Sequence, residues 1–226
     1  LVQALRDDLE AKAPRATAVL KPLKLVIENL DASASEPCSA PRHPQHPEWG
    51  NREFHFTKEL WIEEDDFMKE PIKGFFRLYP PIGDQAGGRV RLRHGFVIEC
   101  TGFEVDANGK VIQVNATHFP DSKSGTPGSN NYKVKGNIHW VSAAEALPAQ
   151  VRLYDHLFHD PHPDSGDKNF LDAINPHSKE TITAYLEPCM KDAKAEDRFQ
   201  FERHGYFVAD QSDSKPGQPV FNRSVG

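Results

Sequence analysis

The sequence predicts a mainly β fold. Short segments of alternating apolar and polar residues follow one another, as in residues 52–62, 89–93 and 96–100, and turn residues separate them. No helical pattern long enough to serve as a crossover lies between these segments. Strand following strand in this way is typical of an antiparallel barrel or sandwich.

Length and composition limit the number of domains and the class of protein. The chain has 226 residues, with 14 Phe, 5 Tyr and 3 Trp, which suffices for the core of one large or two small domains. No apolar run approaches the length of a membrane span, and the first ten residues are amphipathic rather than signal-like. Three cysteines far apart argue against a disulfide framework. We therefore expect a cytoplasmic protein with no membrane partner.

The charge distribution favours a specific reader of nucleic acid over a general binder. A net charge of −6 counts against non-specific coating of a polyanion. Arginines are nevertheless concentrated around residues 77–93 and 198–203. Such local concentration suits contacts to a few bases.

The first 50 residues predict a helix, a strand region and a loop. Residues 1–13 have an amphipathic pattern that Pro14 stops, and Arg15 follows, where it could simply be a cation at the helix C-terminus. The prolines within residues 36–50 predict an irregular loop. Cys38, His43 and His46 could be considered as zinc ligands, but a fourth ligand and a regular spacing are missing, so we expect no metal site.

Two acidic residues, Asp65 and Asp66, follow the strand predicted at residues 52–62. Paired carboxylates can serve in acid-base catalysis, but the neighbouring sequence offers no nucleophile or metal ligand. We expect both carboxylates on a solvated face.

Arg89, Arg91 and Arg93 alternate with aliphatic residues and therefore share one face of a strand. Like charges in a row are tolerated best where an anion or a base edge lies among them. The alternative is an exposed edge strand that its charges protect from pairing.

Residues 103–114 predict a hairpin around Asn108 and Gly109. An Asn-Gly pair is typical of a tight primed turn, which needs two positive φ angles.

Residues 199–207 alternate aromatic and polar side chains before a glycine. Phe199 and Phe201 lie on one face of such a strand and Gln200 on the other. A bend between Arg203 and Gly205 is needed if Gln200 and Arg203 are to contact one ligand. Periodicity alone would also fit an ordinary strand with a solvated glutamine and arginine.

No catalytic motif is present. The sequence lacks a glycine-rich phosphate loop, a Gly-x-Ser-x-Gly elbow and a His-Glu-x-x-His pair.

Four segments occur together in a fixed order: residues 133–143, 151–158, 199–207 and 219–223. This set closely resembles the anticodon-binding region of glutaminyl-tRNA synthetases, and the resemblance extends from residue 13 to the last residue.

The resemblance implies an architecture of two antiparallel β-barrels like that of ribosomal protein L25. A proximal barrel would be built from residues 14–72 and 147–226, a distal barrel from residues 73–146, and residues 1–13 would be a helical remnant of an upstream domain. The catalytic domain, which uses ATP and Mg, would lie outside this chain. The chain would then need no cofactor, bind the anticodon stem-loop of tRNA(Gln) as a monomer beside the catalytic domain of the same polypeptide, and not charge the tRNA itself.

The resemblance also implies roles for seven residues. Arg15, Gln200 and Arg203 would surround the central uracil, where a glutamine amide can both donate to and accept from the imide edge. Arg77 would read the third-position guanine through O6 and N7. The remaining three are Arg91 and Arg93, which would clamp the first base and its phosphate, and Gln45, which would support the anticodon loop.

The chain departs from some members of the family at four positions. Phe76 and Gly74 stand where a lysine and a glutamine occur, Glu10 replaces an asparagine, and Tyr132 replaces an arginine. Two alternatives remain at this point: the anticodon domain of a glutamyl-tRNA synthetase of the non-bacterial type, and an L25-like module that binds ribosomal RNA duplex.

Overall fold

The computed structural model describes residues 2–166 and 169–226. Within these ranges there are one α-helix, α1 (Val2–Lys12), and sixteen strands. In chain order the strands are β1 (Arg15–Ala16), β2 (Ala18–Val19), β3 (Pro22–Ile27), β4 (Glu36–Pro41), β5 (Asn51–Phe56), β6 (Glu59–Glu63), β7 (Arg89–Leu92), β8 (Val97–Val105), β9 (Val111–His118), β10 (Gly136–Ile138), β11 (Val141–Ser142), β12 (Leu147–Tyr154), β13 (Lys179–Leu186), β14 (Arg198–Phe201), β15 (Gly205–Ala209) and β16 (Val220–Val225). Single 3₁₀ turns occupy Pro47–Trp49, Glu64–Asp66, Pro120–Ser122, Pro127–Asn131, Phe170–Ala173 and Pro188–Asp192.

Most of these strands form two seven-stranded sheets, which confirms the predicted mainly β fold with two barrel-like units. The terminal sheet has the order β1-β14-β15-β16-β12-β13-β2, and the middle sheet has the order β10-β7-β8-β9-β3-β6-β11. Strands β4 and β5 form a separate hairpin. Each sheet has its own apolar core, one around Phe201 and Phe221 and the other around Leu25 and Ile98.

The sheets are mixed rather than purely antiparallel. The pairs β1-β14, β3-β9, β7-β10 and β12-β16 run parallel. These strands are far apart in sequence, so long connections join them and no tight hairpin forces them to run antiparallel.

The strand pairing divides the chain at positions that differ from the predicted boundaries. β3 lies between β6 and β9 of the middle sheet, so residues 22–63 belong with residues 89–142 and not with the proximal unit predicted for 14–72. The reason is the burial of Leu23, Leu25 and Ile27, which alternate into the core of the middle sheet. The terminal sheet takes only residues 15–19 from the N-terminal part.

The predicted helix is present and ends before Pro14. Leu9 of the helix and Ala13, which directly follows it, form a small buried cluster with Tyr206 and Val225. The helix therefore packs on the terminal sheet, on strands from the far end of the chain. Among the residues described, no helix has the length and apolar character needed to span a bilayer.

The hairpin between β8 and β9 has a different turn from the predicted one. Only Gly109 has a positive φ, of 79°, and Asn108 does not. The Asp106 carboxylate accepts hydrogen bonds from the backbone N–H groups of Asn108 and Lys110, at 2.8 and 2.9 Å. This aspartate turn satisfies the loop's N–H groups, so the tight primed geometry is not needed.

Candidate nucleic-acid interface

A cleft of about 650 Å³ lies where the terminal and middle sheets meet. Five of the seven predicted site residues line it. They are Arg15, Gln200 and Arg203 from the terminal sheet and Arg91 and Arg93 from the middle sheet. The wall is completed by Pro41, Pro44, His94, Ser124, Asn137 and Glu202.

Arg15 and Gln200 are brought together by backbone pairing. β1 runs parallel to β14, with Arg15 opposite Gln200 and Ala16 opposite Phe201. The Gln200 N–H donates to the carbonyl of Pro14 at 2.9 Å. Phe201 is fully buried, so the alternation that places Phe201 inside leaves Gln200 facing the cleft.

The Arg15 guanidinium also caps the helix end. It donates to the carbonyls of Ala13 and Glu10, at 3.0 and 3.3 Å, and to the Glu10 carboxylate. This cation at the helix C-terminus is the alternative that the sequence left open, and it coexists with the position of Arg15 in the cleft. The helix end thereby holds the guanidinium in place.

Tyr206 extends this network toward Gln200. Its hydroxyl donates to the Glu10 carboxylate, and the Gln200 amide lies 3.4 Å from the same hydroxyl. Burial and the hydrogen bond to Glu10 raise the pKa of Tyr206 to about 12. Glu10, one of the departures from the family pattern, is thus built into the site.

The predicted bend is a tight turn between β14 and β15. Arg203 has a φ of 72° and Gly205 a φ of 106°. A Cβ on Gly205 would lie 2.2 Å from the carbonyl oxygen of Val225, so only glycine fits there. The turn reverses the chain and directs Glu202, Arg203 and His204 toward the middle sheet.

Each of these three consecutive side chains bonds to the middle sheet or its connections. The Glu202 carboxylate accepts from Arg93, Arg203 donates to Asp66, and His204 bonds to Glu63. The turn therefore joins the two sheets at the cleft.

Arg203 is held most firmly of the three. Its two terminal nitrogens each donate to an Asp66 carboxylate oxygen at 2.8 Å, and one of them also donates to Nδ1 of His139 at 3.2 Å. The hydrogen bond to Asp66 is the main cause that raises the pKa of Arg203, against the opposing effect of burial. The expectation of a solvated face holds for the exposed Asp65 but is wrong for Asp66, which is fully buried.

The three arginines near β7 share one face, as their spacing predicts, while Val90 and Leu92 lie in the core. Arg91 donates to the carbonyls of Ser122 and Ser129, at 2.7 and 3.1 Å, and Arg93 bonds to Glu202. β7 pairs with both β8 and β10, so it is not the exposed edge strand of the alternative interpretation.

Arg77 and Gln45 do not line the cleft. Arg77 donates to Asp66 at 3.1 Å and lies over the ring of Phe75, 4.8 Å from its centroid. Gln45 is exposed and follows Pro44 of the cleft wall.

At two other departures from the family pattern, new contacts replace the missing polar groups. Phe76 is 52% exposed, with Lys135 Nζ 4.3 Å from its ring centroid. A Cβ on Gly136 would lie 2.2 Å from the Phe76 carbonyl oxygen, so a glycine allows this close approach. The Tyr132 hydroxyl donates to the Asp121 carboxylate.

The histidines considered for zinc have a different role. His43 and His46 bond through Nε2 to the carbonyls of Glu10 and Ala11, at 2.7 and 3.1 Å, at the C-terminal end of α1. Cys38 is buried in the core of the middle sheet. The two histidines thus bond to carbonyls at a helix end, whereas the cysteine packs in a core, and the three do not form a shared ligand set.

A different group of possible metal ligands lies at the junction of the two sheets. Its members are Glu63, His139 and His204, whose ligand atoms lie within 4.8 Å of one another. Arg203 donates to Nδ1 of His139, so the ring hydrogen is on Nε2 and points at Glu63. A metal would need that nitrogen free of hydrogen. Although burial opposes ionisation of Glu63, hydrogen bonds from His139 and His204 outweigh it and lower the pKa of this carboxyl group.

Sequence reasoning missed the buried polar residues that join the sheets. Arg52 is 1% exposed and pairs with Glu187 at 2.6 Å and with Glu202. Its burial was predictable from the sequence, because Arg52 alternates with Phe54 and Phe56 onto the same buried face of the strand. The pairing of Glu63 with His139 and His204, and of Asp66 with Arg203, joins residues too far apart in sequence to give any such signal.

Two β-sheets that direct arginine and amide side chains into one cleft are suited to specific reading of RNA bases. Two protein-family models match the chain, one over residues 13–118 and the other over residues 137–210. Both describe the anticodon-binding domain of class I tRNA synthetases for E and Q. The chain belongs to this family.

Curated relatives match over nearly the whole chain. It is 84% identical over 226 residues to a glutamine–tRNA ligase of Polynucleobacter necessarius, covering all of this chain and 38% of that protein. It is 64% identical over 226 residues to a glutamine–tRNA ligase of Ralstonia nicotianae, with the same coverage of both chains. A glutamine–tRNA ligase of Bordetella bronchiseptica is 58% identical over 225 residues, covering all of this chain and 37% of that protein. The chain therefore spans about two fifths of the length of these relatives.

Proposed function

We propose that this chain is the anticodon-reading part of a glutamine–tRNA ligase and that it binds the anticodon stem-loop of tRNA(Gln). The observation that carries the proposal is the register of β1 and β14, which places Arg15 opposite Gln200 in a cleft that Arg203 also lines. The identity of 84% with a glutamine–tRNA ligase supports the choice of glutamine.

In this proposal the central anticodon uracil enters the cleft beside Arg15, Gln200 and Arg203. An amide side chain can donate to O4 and accept from N3–H of uracil. Three of the five N–H groups of Arg203 are used by Asp66 and His139 within the described part of the chain, which leaves two for the base or its phosphate. Cytosine presents an amino group where uracil has O4, so the arginine would face a donor instead of an acceptor.

The neighbouring bases are assigned to the other predicted residues. Arg91 and Arg93, which the middle sheet contributes to the cleft, contact the first base and its phosphate. Arg77 contacts O6 and N7 of the third-position guanine, and Gln45 supports the fold of the anticodon loop. Such splayed bases in separate pockets are a general mode of single-stranded RNA recognition.

The proposal assigns charging of the tRNA to the remaining part of the same polypeptide. That catalytic domain would use ATP and Mg, whereas this chain needs no cofactor to bind RNA. We place the protein in the cytoplasm as a monomer, in keeping with a net charge of −6 and a role in translation.

A glutamyl-tRNA synthetase is the second candidate, because the matching family covers both the E and the Q enzymes. The two anticodon sets differ at the third base, which is G for glutamine and C for glutamate. An L25-like module that binds ribosomal RNA duplex is a third candidate, and its binding would not depend on the anticodon.

The test is a titration of this chain with anticodon stem-loops that differ only at the third base. We expect the stem-loop whose anticodon ends in G to bind more tightly, by about tenfold or more, since one good base contact supplies roughly 1 to 3 kcal/mol. A preference for C would assign the chain to the glutamate enzymes. Equal binding of all loops and of a plain RNA duplex would support the L25-like module.

A further inference from the structure

The buried carboxylate of Asp66 joins two arginines that the proposed function assigns to different bases. Arg203 donates to both of its oxygens at 2.8 Å, and Arg77 donates to Oδ1 at 3.1 Å. Asp66 itself is 0% exposed. Oδ1 therefore accepts from a nitrogen of each arginine.

The backbone around Asp66 strengthens this arrangement. The Leu78 N–H donates to the Asp66 carbonyl at 3.0 Å, and the Met68 N–H donates to the Leu78 carbonyl at 3.0 Å. These bonds fix the segment that carries Arg77 against the 3₁₀ turn that ends at Asp66. Arg203 reaches the same carboxylate from the terminal sheet, so Asp66 lies at a junction of both sheets.

A buried aspartate with two partners is strongly constrained. Removing a carboxylate from water is costly unless charged hydrogen-bond donors replace the water. Both arginines keep part of their side chains exposed, 28% for Arg203 and 35% for Arg77. Their inner N–H groups are thus held by Asp66, while their outer surfaces remain accessible to a ligand.

We propose that Asp66 is a positioning residue that orients Arg203 and Arg77 together and so couples reading of the second and third anticodon bases. This inference rests on the proposed function. The shared oxygen makes the two contacts interdependent. A shift of one guanidinium changes the position of the Asp66 carboxylate and the positive charge near it, and the other guanidinium is bonded to that same carboxylate. Loss of the carboxylate releases both arginines at once.

The experiment compares Asp66→Asn with Asp65→Asn, which changes the adjacent, exposed carboxylate in the same way. Each variant of the chain is titrated with the stem-loop of the glutamine anticodon and with loops altered at the first, the second or the third base. We expect Asp66→Asn to reduce the discrimination at the second base and at the third base by about tenfold each. This loss lies at the low end of the range that one good base contact supplies. Asp65→Asn should keep both, and discrimination at the first base should be retained in both variants.

Two further variants test the coupling while leaving Asp66 in place, which matters if Asp66→Asn does not fold in a thermal melt. Arg77→Ala should weaken discrimination at the second base by about threefold, in addition to its loss at the third base, and Arg203→Ala should show the reverse pattern. If each arginine variant alters only its own base, or if folded Asp66→Asn keeps full discrimination at both, the coupling role is refuted while the proposed function stands. If the parent chain itself does not discriminate between the loops, the proposed function and the inference both fail.

Discussion

Arg15 lies directly opposite Gln200 in the parallel pairing of two short strands from opposite ends of the chain. The backbone of Gln200 is bonded to Pro14, and the Arg15 guanidinium is bonded to the end of α1. A pocket made from both ends of the chain exists only when the terminal sheet is complete. The proposed reading of the RNA therefore depends on a complete terminal sheet.

Gln200→Ala should weaken discrimination at the second anticodon base by roughly 1 to 3 kcal/mol, because the amide is the group that can both donate to and accept from uracil. The measurement is a titration with stem-loops carrying U or C at that position. Gln211→Ala, in the exposed turn before β16, is the matched control and should bind like the parent. Equal loss on both loops would show that Gln200 does not read the base.

Gly205→Ala should destabilise the fold by at least about 2 kcal/mol, since an alanine there meets a positive φ and the carbonyl of Val225. Urea denaturation measures the free energy of unfolding. Gly217→Ala has a positive φ but no atom within 4 Å of the new Cβ, so it should cost only about 1 kcal/mol. Equal effects of the two substitutions would contradict the close approach at Gly205.

Arg52→Met should destabilise the protein by about 3 to 5 kcal/mol, because the buried Glu187 carboxylate loses its cation. The double variant Arg52→Met/Glu187→Gln should recover part of this loss, since no uncompensated charge then remains at that position. Both are measured by urea denaturation. An effect of Arg52→Met below about 1 kcal/mol would mean that the ion pair does not hold the sheets together.

Stability should fall as pH is lowered from 7.5 to 5.5. Burial lowers the pKa of His139, with Glu63 opposing in part, and burial also lowers the pKa of His94 and His118. As the pH falls through 6.5, the ordinary pKa of histidine in the unfolded chain, the unfolded chain binds more protons than the folded chain. Lower pH therefore favours unfolding. The lowered pKa of Glu63 acts in a lower range, below its ordinary value of 4.5. The expected loss is on the order of 1 kcal/mol.

Thermal melts at several pH values measure this effect. His139→Gln should reduce the pH dependence, whereas His156→Gln, at an exposed position, should leave it unchanged. Stability that stays constant or rises toward pH 5.5 would contradict burial of neutral histidines.

Local patterns predicted much of the fold. Alternation placed Phe199, Phe201 and the arginines of β7 correctly, and Pro14 marked the end of α1, because these features depend on neighbouring residues. The division between the sheets was not predictable in this way. β3 could have joined either sheet by its apolar pattern, and its partners β6 and β9 come later in the chain.

The lining of the cleft was also predictable only in part. A family pattern points to the residues that face a ligand, and five of these line one cleft. It does not indicate the buried partners, because the pairing of Asp66 with Arg203 or of Glu63 with His204 depends on long-range packing. A carboxylate in an acidic stretch is usually solvated, and Asp66 is an exception because Arg77 and, from the terminal sheet, Arg203 donate to it.

The central claim is that uracil at the second anticodon position is read where the two ends of the chain meet. The most direct measurement is the affinity of the parent chain for two stem-loops of the glutamine anticodon that differ only by U or C at that position. The account predicts that the U loop binds at least about tenfold more tightly, through the contacts of Gln200, Arg15 and Arg203. Equal affinity for the two loops would contradict it.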